Sequence, residues 1–503
     1  MAGAAGWARH LPAGVDPASV DLLAEGSLPA AWARRWSDAP GRPVVRDPGG
    51  RWLTGADLLG VTAEVAGRLA AAGLRAGDRV VLSGPASADM VVAYGAALRS
   101  GLVVVPVNPS YSRRELAVLL EDAAPAAAIM HSAELRGWAA ELSRATRIFT
   151  MDVPGAGGPP PPLDGVATAD PALLVYTSGT TGRPKGAVLS HGNLLASAEA
   201  VRLAWRWTPE DRLILCLPLF HMHGLGVGLN GTLLVGASAV LHNGFEPEGV
   251  LAAAGEGATM FFGVPTMYAR LVDAQGAARL GGLRLCVSGS APLDAGLHRR
   301  VEAVCGQAVL ERYGMTETVM LVSNPYEGER RPGTVGFPLP GVEVRLAEGS
   351  GEIEVRGPNV FDGYLGRSDA DPFTADGWFR TGDIGATDAD GYLSIVGRSK
   401  ELIITGGYNV YPREVEDVLR AHPGVVDAAV VGTPSEEWGE VVTAYVEVVE
   451  ASPFDPSALV DWAAARLAPY KRPRIFHRVE ALPRNRLGKV LRDQLQPPSG
   501  QQP

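Results

Sequence analysis

The sequence predicts an α/β protein with a large N-terminal domain of doubly wound sheets, a β-rich subdomain and a small α+β C-terminal domain. A chain of 503 residues exceeds the roughly 100 to 200 residues of one ordinary domain. Short apolar runs alternate with helical patterns, as in RVVLSG (79–84), GLVVVPV (101–107) and AAAIM (126–130). Strands that alternate with helices form right-handed crossovers, so a mainly parallel sheet is expected. From about residue 401 the pattern becomes a small α+β unit.

The helices are predicted from local signals. After the strand-like WLTG, a helix is expected over 54–73, because Thr54 and Asp57 can form a capping box and Gly73 can end the helix. The other expected helices lie near 86–99, 112–121, 413–421 and 456–467. PGAGGPPPPLDG indicates a surface loop, and β-rich sequence runs from GVEVRL to SIVGRSK.

The composition excludes several classes of protein. A net charge of −10 and a pI of about 5.5 disfavour a nucleic-acid or anionic-membrane binder, since both need clustered positive charge. The cysteines at 216, 286 and 305 form no C-x-x-C pair, which argues against a disulfide framework and a cysteine zinc site. No apolar stretch approaches the roughly 18 residues that span a bilayer. We therefore expect a soluble, cytoplasmic protein, either a monomer or a homodimer.

Only four of the 45 basic residues are lysines, namely Lys185, Lys400, Lys471 and Lys489. A G+C-rich genome can favour arginine and leave a few lysines at random. Alternatively, the remaining lysines are those whose compact ammonium arginine cannot replace, because arginine is a planar fork of donors.

The string YTSGTTGRPKG (176–186) carries three glycines and four hydroxyl side chains after an apolar run. Backbone N–H and hydroxyl groups in such a loop can surround phosphate oxygens, and Lys185 adds a mobile positive charge. Gly186 stands where a Walker A loop has the Ser or Thr that holds magnesium, so this is a different kind of phosphate loop.

With this string, the chain resembles the adenylate-forming superfamily of acyl-CoA synthetases, peptide-synthetase adenylation domains and luciferases. Further motifs follow in the order typical of that superfamily: PLFHMHG (218–224), SGSAPL (288–293), ERYGMTET (311–318), GEIEVRGPNVFDGY (351–364), GWFRTGD (377–383), GRSKELIITGGYNVYPREVE (398–416) and PRNRLGK (483–489). The resemblance covers most of residues 50–490 and is closest to malonyl-CoA synthetase-like members.

The resemblance implies a nucleotide site. The expected ATP or AMP contacts are Thr177, Ser178, Gly179, Thr180, Thr181, Gly182, Lys185, Gly289, Ser290, Ala291, Glu311, Arg312, Tyr313, Gly314, Met315, Thr316, Asp383, Ile395, Arg398 and Lys489. Tyr313 would offer an aromatic face to the purine, and Asp383 would accept from the ribose hydroxyls. Glu317, a hard oxygen ligand, and Thr180 would hold Mg²⁺ between the ATP phosphates.

The resemblance also implies a reaction in two halves. A carboxylate attacks the α-phosphorus of ATP to give an acyl-adenylate and pyrophosphate, and the thiol of coenzyme A then displaces AMP. Lys489 would bridge the carboxylate and the α-phosphate. The implied domains are residues 1–397, a hinge at 398–400 that contains Lys400, and a mobile small domain at 401–503. Gly406, Gly407 and Tyr408 would join Lys400 in contacting CoA.

The identity of the acid stays open at this point. The expected acyl-site residues are His221, His223, Val264, Arg284, Ser288, Gly314, Met315 and Met320, with Phe261 and Met267 as further apolar wall. His221 would contact or gate the carboxylate, and Arg284 matches an arginine assigned to the second carboxylate of malonate. Arg284 also occurs in relatives that use other acids, and Met222 makes this region more apolar than a hydroxyl would.

Several alternatives therefore remain. The acid is malonate, methylmalonate, another short-chain acid, an aryl acid or nitrite, the last for diazo formation on an aryl amine. The acceptor is CoA or a different group. A non-catalytic nucleotide sensor is disfavoured, because a sensor would not need Lys489. Lys471, in APYKRPR, is assigned either to packing or to attraction of CoA phosphates.

Overall fold

The computed structural model describes residues 4–177, 184–366, 371–405, 408–435, 437–449, 454–485 and 488–495. Its first part contains α1 (Ala4–Trp7), α2 (Leu28–Asp38), β1 (Pro43–Arg46), β2 (Trp52–Thr54), α3 (Gly55–Ala71), β3 (Arg79–Ser83), α4 (Ala88–Arg99), β4 (Val103–Pro106), α5 (Arg113–Ala123), β5 (Ala127–Met130), α6 (Ala133–Leu142), β6 (Arg147–Phe149) and β7 (Pro171–Thr177). The capping box predicted for Thr54 and Asp57 is present at the start of α3.

The middle of the chain contains β8 (Lys185–Ser190), α7 (His191–Ala204), β9 (Arg212–Leu215), a π-helix (His223–Leu229), α8 (Asn230–Val235), β10 (Ser238–Leu241), α9 (Pro247–Gly255), β11 (Met260–Gly263), α10 (Pro265–Val272), β12 (Leu285–Ser288), α11 (Ala295–Cys305), β13 (Leu310–Tyr313), β14 (Val322–Ser323) and β15 (Phe337–Pro338). The β-rich subdomain follows with β16 (Glu343–Leu346), β17 (Glu352–Arg356), β19 (Phe379–Thr387) and β20 (Leu393–Arg398), which form a four-stranded sheet. Between them in the chain, β18 (Gly363–Tyr364) pairs with β8.

The C-terminal domain contains β21 (Ile403–Thr405), β22 (Tyr408–Val410), α12 (Pro412–Arg420), β23 (Val425–Ser435), β24 (Gly439–Val448), α13 (Pro456–Ala464) and β25 (Ile475–Val479). Its strands form one sheet around the β23–β24 hairpin, and α12 and α13 pack on that sheet through an apolar cluster of their own. A proline begins each of these two helices, where its missing N–H has no helical partner to lose.

Two large sheets form the N-terminal domain. One has the strand order β18-β8-β7-β4-β3-β5-β6, and the other has β15-β14-β13-β12-β11-β9-β10-β1-β2. One large apolar cluster fills the space between the sheets, and separate clusters cover their outer faces against α5 and α6 and against α9 to α11. Helices on both faces of each sheet confirm the predicted doubly wound α/β fold.

Both sheets are parallel at their centres; the nine-stranded sheet is antiparallel at both edges, and the seven-stranded sheet is antiparallel at its β18–β8–β7 edge. The neighbours β9, β11, β12 and β13 run parallel, so their carboxyl ends meet along a single edge. At the other sheet, β8 pairs antiparallel with β7 and brings Lys185 opposite Thr177. Among the described residues, none of the helices combines the length and apolar character that crossing a bilayer requires.

Candidate active site

A cavity of about 760 Å³ lies between the carboxyl ends of β12 and β13 and the C-terminal domain. Its N-terminal-domain wall includes Ser290, Ala291, Glu311, Arg312, Tyr313, Gly314, Asp383, Ile395 and Arg398. Its C-terminal-domain wall includes Glu416, Lys489 and Arg492. The structure thus brings residues from five separate sequence motifs to one cavity, as expected for ligands that bind at the carboxyl ends of parallel strands.

Asp383 is buried at the cavity and is held by two donors. The Tyr313 hydroxyl donates to Asp383 Oδ2 at 2.6 Å, and Arg398 Nε lies 2.8 Å from Asp383 Oδ1. The antiparallel register of β19 and β20 sets Asp383 directly opposite Arg398. Burial and the Asp383 charge raise the pKa of Tyr313 well above its usual value, so this hydroxyl stays protonated and can donate. A fixed carboxylate of this kind can accept two hydroxyl groups from a sugar.

Glu317 lies in the turn between β13 and β14. Its carboxylate is buried and accepts a hydrogen bond of 2.8 Å from the Tyr364 hydroxyl. Burial raises the pKa of Glu317 above its ordinary value, while the Tyr364 hydrogen bond opposes that rise. Lys185 Nζ lies over the ring of the same tyrosine, 5.3 Å from its centroid.

Glu317 is the described carboxylate that the sequence assigned to Mg²⁺, and its buried oxygen atoms fit that role. No group of three or more His, Cys, Asp or Glu side chains that could hold a metal occurs in the described ranges. Mg²⁺ ordinarily takes one or two protein carboxylates together with phosphate oxygens and water, so a single buried glutamate beside a phosphate loop is sufficient. Thr180, predicted as a second ligand, and Ser178, Gly179, Thr181 and Gly182 lie outside the described residues.

Two of the five described non-glycine residues with a positive φ lie at or next to this cavity. Ser290 has a φ of 69° and Val319 a φ of 56°, both in the left-handed region that side chains other than glycine seldom adopt. The Ser290 hydroxyl lies 3.2 Å from His223 Nδ1, which fixes the turn after β12 against the π-helix. Strained residues persist where surrounding contacts hold them, and they are common at ligand sites.

Arg312 is a buried cation for which the described residues supply no counter-ion. Its side chain lies against the α-carbon of Gly289, where a Cβ would come within 2.4 Å of Arg312 Cζ and Nε. Arg312 Nε and Nη2 are buried and have no hydrogen-bond partner among the described residues. Burial lowers the pKa of Arg312 to about 9, so the guanidinium is still charged at neutral pH. A buried charge is costly unless an anion pairs with it, so this site is built to receive one.

His223 lies near this arginine, and His221 lies near His223. Burial lowers the pKa of His221 to about 4, and burial with the nearby Arg312 and His221 lowers the pKa of His223 further. Both rings are therefore neutral at pH 7 and can offer one N–H each. The His223 ring stacks on Phe262 with centroids 6.4 Å apart, and its Nε2 has no partner among the described residues.

The walls next to the histidines are apolar. A Cβ on Gly226 would meet Met222 Cε at 2.2 Å and Val319 Cγ1 at 3.2 Å, so Met222 and Val319 close on this glycine of the π-helix. The predicted residues Val264 and Met320 are buried in the large central apolar cluster, and Met315 is half-buried against the same cluster. A Cβ on Gly314 would collide with the Val319 carbonyl, which explains why glycine follows Tyr313.

The prediction that Arg284 contacts the acyl group is wrong. Arg284 precedes β12, whereas the cavity lies beyond the other end of that strand. Its Nε and Nη2 atoms each lie 2.6 Å from an Asp211 carboxylate oxygen, and Nη1 donates to the Trp205 carbonyl at 3.0 Å. A bidentate pair with a nearly fully buried aspartate occupies this guanidinium, so Arg284 joins strands at the amino edge of the sheet.

Ser288 and Phe261 also lie away from the acyl walls. Cys286 and Phe261 pack in the cluster with α9 to α11, and strand alternation places Ser288 on the same face as Cys286. Phe262, on the other face, contacts His223. The fully buried Ser288 hydroxyl has no partner among the described residues.

Lys489 reaches the cavity from the C-terminal domain. Its backbone N–H donates to Asn485 Oδ1 at 3.0 Å, and a Cβ on the neighbouring Gly488 would meet Thr266 Cγ2 of α10 at 2.9 Å. Partial desolvation, then the charge of Arg398, lowers the pKa of Lys489. The lysine loop thus docks on the N-terminal domain with its ammonium near Arg398 and Asp383.

The other lysines have distinct places. Lys400 is exposed in a short 3-10 turn, Ser399–Glu401, between the domains. Lys471 Nζ donates to both carboxylate oxygens of Glu414 at 2.7 Å. This contact supports a packing role for Lys471 over attraction of CoA phosphates. Tyr408 is 57% exposed and stacks on Tyr470, away from the cavity lining. Gly406 and Gly407 lie outside the described residues.

Some residues at this site had no sequence signal. Arg492 lies 3.1 Å from Glu401 and 2.7 Å from Glu416, and it lines the cavity beside Lys489. These partners are 91 and 76 residues away along the chain, so only the fold brings them together. Tyr364 could have been found, because it ends one of the recognised motifs.

Comparison with known proteins decides the family. Residues 32–365 match the family of AMP-binding enzymes, and residues 414–489 match the AMP-binding enzyme C-terminal domain. The chain belongs to the AMP-binding enzyme family. The expected adenylate-forming superfamily is thereby confirmed.

The names of curated relatives of this AMP-binding enzyme specify different acids. A feruloyl-CoA synthase of Amycolatopsis is 39% identical, over 93% of this chain and 98% of its own. A sulfoacetate–CoA ligase of Cupriavidus necator is 36% identical, over 95% and 98%. A mitochondrial malonate–CoA ligase of Xenopus laevis is 35% identical, over 83% and 82%. The expected enzyme class, an AMP-forming acid–CoA ligase, is confirmed.

Solved structures of the AMP-binding family share the fold. ATP-bound MatB from Rhodopseudomonas palustris aligns with a TM-score of 0.86 at 38% identity, over 93% of this chain and 98% of that one. A malonyl-CoA ligase ternary product complex with methylmalonyl-CoA and AMP aligns with a TM-score of 0.66 at 44% identity, over 88% and 97%.

Proposed function

We propose that this enzyme activates a small carboxylic acid bearing a second negative charge, such as malonate, with ATP and transfers the acyl group to coenzyme A. The buried Arg312, with two unpartnered nitrogen atoms and no counter-ion among the described residues, carries this proposal. Arg312, which the sequence assigned to the nucleotide, thereby takes the role expected of Arg284. Two of the relatives described above are named for acids with a second anion, a carboxylate in malonate and a sulfonate in sulfoacetate.

The arrangement of Arg312 and the histidines would set the orientation in which the acid binds. Arg312 would hold the distal anion beside His223 and Ser290, and the neutral His221 would meet the reacting carboxylate through an N–H. The apolar contacts of Met222 and Val319 leave an uncharged surface for the carbon between the two acidic groups, or for a methyl branch on it.

The first half-reaction joins the acid to AMP. An oxygen of the acid attacks the α-phosphorus, the bond to the bridging oxygen of the β-phosphate breaks, and pyrophosphate leaves. Lys489 would donate from its ammonium to the carboxylate and the α-phosphate, a bridge that suits three rotatable donors. Glu317 and Thr180 would hold Mg²⁺, which when bound supplies positive charge against the phosphates. Asp383 would exchange its Arg398 and Tyr313 partners for the ribose hydroxyls.

The remaining nucleotide contacts follow from position. Gly289, Ser290 and Ala291 would line the adenine with Glu311, and Ile395 would pack below the ribose. Thr177, Lys185 and the hydroxyls of the loop between them would surround the phosphates, with Thr316 next to Glu317. For the residues other than Gly289, each assignment predicts a loss of ATP affinity when the side chain is truncated.

The second half-reaction needs the C-terminal domain to turn. In it, the CoA thiol attacks the acyl carbon, and AMP leaves with the electrons of the carbon–oxygen bond. A hinge at 398–400, pivoting at Lys400, would carry Lys489 out and bring Gly406, Gly407 and Tyr408 in. The lower TM-score to a CoA product complex, despite its higher identity, supports a different domain position in that state.

An aryl monocarboxylate is the second candidate. The Met222, Val319 and Gly226 contacts are apolar, and a feruloyl-CoA synthase is among the relatives. A charged guanidinium facing an uncharged aryl group would still lack its anion, which is why the dianionic acid is preferred. Nitrite activation and transfer to an acceptor other than CoA are further outcomes that one experiment separates.

The experiment is ATP–pyrophosphate exchange with malonate, methylmalonate, sulfoacetate, acetate, propionate, ferulate and nitrite, followed by product masses with and without CoA. We expect exchange with the first three acids and a CoA thioester from each acid that exchanges. Exchange confined to ferulate or to nitrite would refute the proposed acid. A product that forms equally well without CoA would refute the proposed acceptor.

A further inference from the structure

Residues 358–365, here called the strap, lie across the turn that carries Glu317. Asn359 Nδ2 donates to the carbonyls of Thr318 at 2.8 Å and Met320 at 2.7 Å. The Phe361 N–H donates to the Glu317 carbonyl at 2.9 Å. The strap therefore fixes the backbone on both sides of the Glu317 side chain.

The strap is itself anchored on the phosphate-loop side. Asn193 Nδ2 donates to the carbonyls of Pro358 and Val360, each at 2.9 Å. Its last residues form β18, which pairs with β8 so that Tyr364 lies opposite Ala187. The Leu365 N–H donates to the Gly186 carbonyl at 2.8 Å. One short segment thus connects the Glu317 turn to the strand that starts at Lys185.

Tyr364 contacts both charged groups at once. Its hydroxyl donates to Glu317 Oε1 at 2.8 Å, and Lys185 Nζ lies 5.3 Å from its ring centroid. Phe361 packs edge-on against the ring, with centroids 4.9 Å apart, and so fixes its plane. No ion pair joins Lys185 to Glu317 in the part of the chain that the structure describes. The aromatic ring holds the two opposite charges separately, one by its face and one by its hydroxyl.

We propose that Tyr364 is a positioning residue that keeps Glu317 and Lys185 apart and aimed at the metal and the phosphates of the same nucleotide. The inference rests on the proposed function, in that it assumes Mg–ATP as the ligand. Without the hydroxyl, the buried carboxylate loses its donor and can rotate. Without the ring as well, the flexible Lys185 can approach Glu317 and neutralise it before ATP arrives, because two such charges attract strongly when partly buried.

Two substitutions separate these effects. Tyr364→Phe keeps the ring under Lys185 and removes only the hydroxyl, whereas Tyr364→Leu removes both. Tyr392→Phe is the matched control, because Tyr392 makes a similar pair of contacts outside the cavity lining. Its hydroxyl donates to the Glu329 carbonyl at 2.9 Å, and the Arg331 guanidinium lies over its ring at 4.1 Å.

The measurement is calorimetric binding of ATP to each purified full-length variant, with Mg²⁺ and with EDTA, in the absence of acid and CoA. We expect Tyr364→Phe to weaken Mg–ATP binding about tenfold, which is the effect of losing roughly one charge-assisted hydrogen bond. The same substitution should weaken metal-free ATP binding less than about twofold. Tyr364→Leu should weaken both forms, and Tyr392→Phe neither.

Equal weakening of both forms by Tyr364→Phe, or no weakening of either, would overturn the positioning role. A wild-type enzyme that binds ATP equally well with and without Mg²⁺ would overturn it too. Because no acid is present, these outcomes are independent of which acid the enzyme uses. A failure of the proposed acid in pyrophosphate exchange would leave the Tyr364 result standing.

Discussion

The Arg312 guanidinium lies so close to the Gly289 α-carbon that a Cβ there would be 2.4 Å from Arg312 Cζ. Gly289 therefore sets the position of the one cation that we assign to the distal anion of the acid. The contact also explains why the turn after β12 combines a glycine with the strained Ser290, whose φ is 69°.

Gly289→Ala should displace Arg312 and lower kcat/KM for a dianionic acid by about tenfold or more, since misplacement of about 1 Å can cost up to about a hundredfold. KM for the acid should rise more than KM for ATP in steady-state kinetics. Gly282→Ala is the control, because a Cβ at Gly282 meets nothing within 4 Å. An unchanged KM for the acid in Gly289→Ala would contradict the assignment.

Arg284→Met should destabilise the fold instead of changing the acid preference. Removing Arg284 leaves the Asp211 carboxylate, 4% exposed, without its bidentate partner. Breaking a buried pair from one side costs about 3 kcal/mol, and the partial exposure of Arg284 makes this an upper figure. Urea unfolding measures the loss. Full stability in Arg284→Met would show that the pair at the amino edge of the sheet is not structural.

Most of the fold could be predicted from the sequence, because alternating strand and helix patterns are local signals. The α3 capping box and the helices α4, α5 and α12 lie within a few residues of their predicted bounds. Arg284 was misplaced because a motif match gives a strand but not the end of the strand at which a side chain lies. Its partner Asp211 is 73 residues away and had no signal of its own.

The contribution of Glu311 to the free energy of unfolding should decrease as pH rises. Burial raises the pKa of Glu311 from 4.5 to about 7, and its Oε2 atom is buried without a partner among the described residues. A raised folded-state pKa favours the folded state fully below pH 4.5, and this contribution is lost as pH rises to about 7.

Glu311→Gln keeps an oxygen to accept from the Leu293 N–H, now 2.9 Å from Glu311 Oε1, and cannot ionise. The stability difference between variant and wild type should therefore shift in favour of the variant by up to about 3 kcal/mol between pH 4.5 and 8. Chemical denaturation at each pH gives this difference, in which the other titrating groups cancel. A pH-independent difference would refute the raised pKa.

Lys489→Arg should slow ATP–pyrophosphate exchange at least about a hundredfold, because a planar guanidinium cannot make the same three-way bridge. Thioester formation from a supplied acyl-adenylate should change only a few-fold. Lys471→Arg is the control, since arginine can keep the bidentate contact with Glu414. Equal losses in both half-reactions would count against a role of Lys489 confined to adenylation.

Lys400→Pro should have the opposite effect. Proline fixes φ at the proposed pivot, so exchange in the present domain position should stay near normal while CoA-thioester output falls. Lys400→Ala, which leaves the backbone free, should affect neither. Pyrophosphate exchange and thioester formation measure the two half-reactions separately. Unaffected thioester output in Lys400→Pro would show that the hinge is not at Lys400.

The most direct test of the account compares the malonate-to-propionate ratio of kcat/KM in wild type, Arg312→Met and Arg284→Met, each measured on folded enzyme. The ratio should fall at least about tenfold in Arg312→Met, since one charge-assisted interaction is lost, and should be unchanged in Arg284→Met. A ratio that falls in Arg284→Met and persists in Arg312→Met would contradict the account.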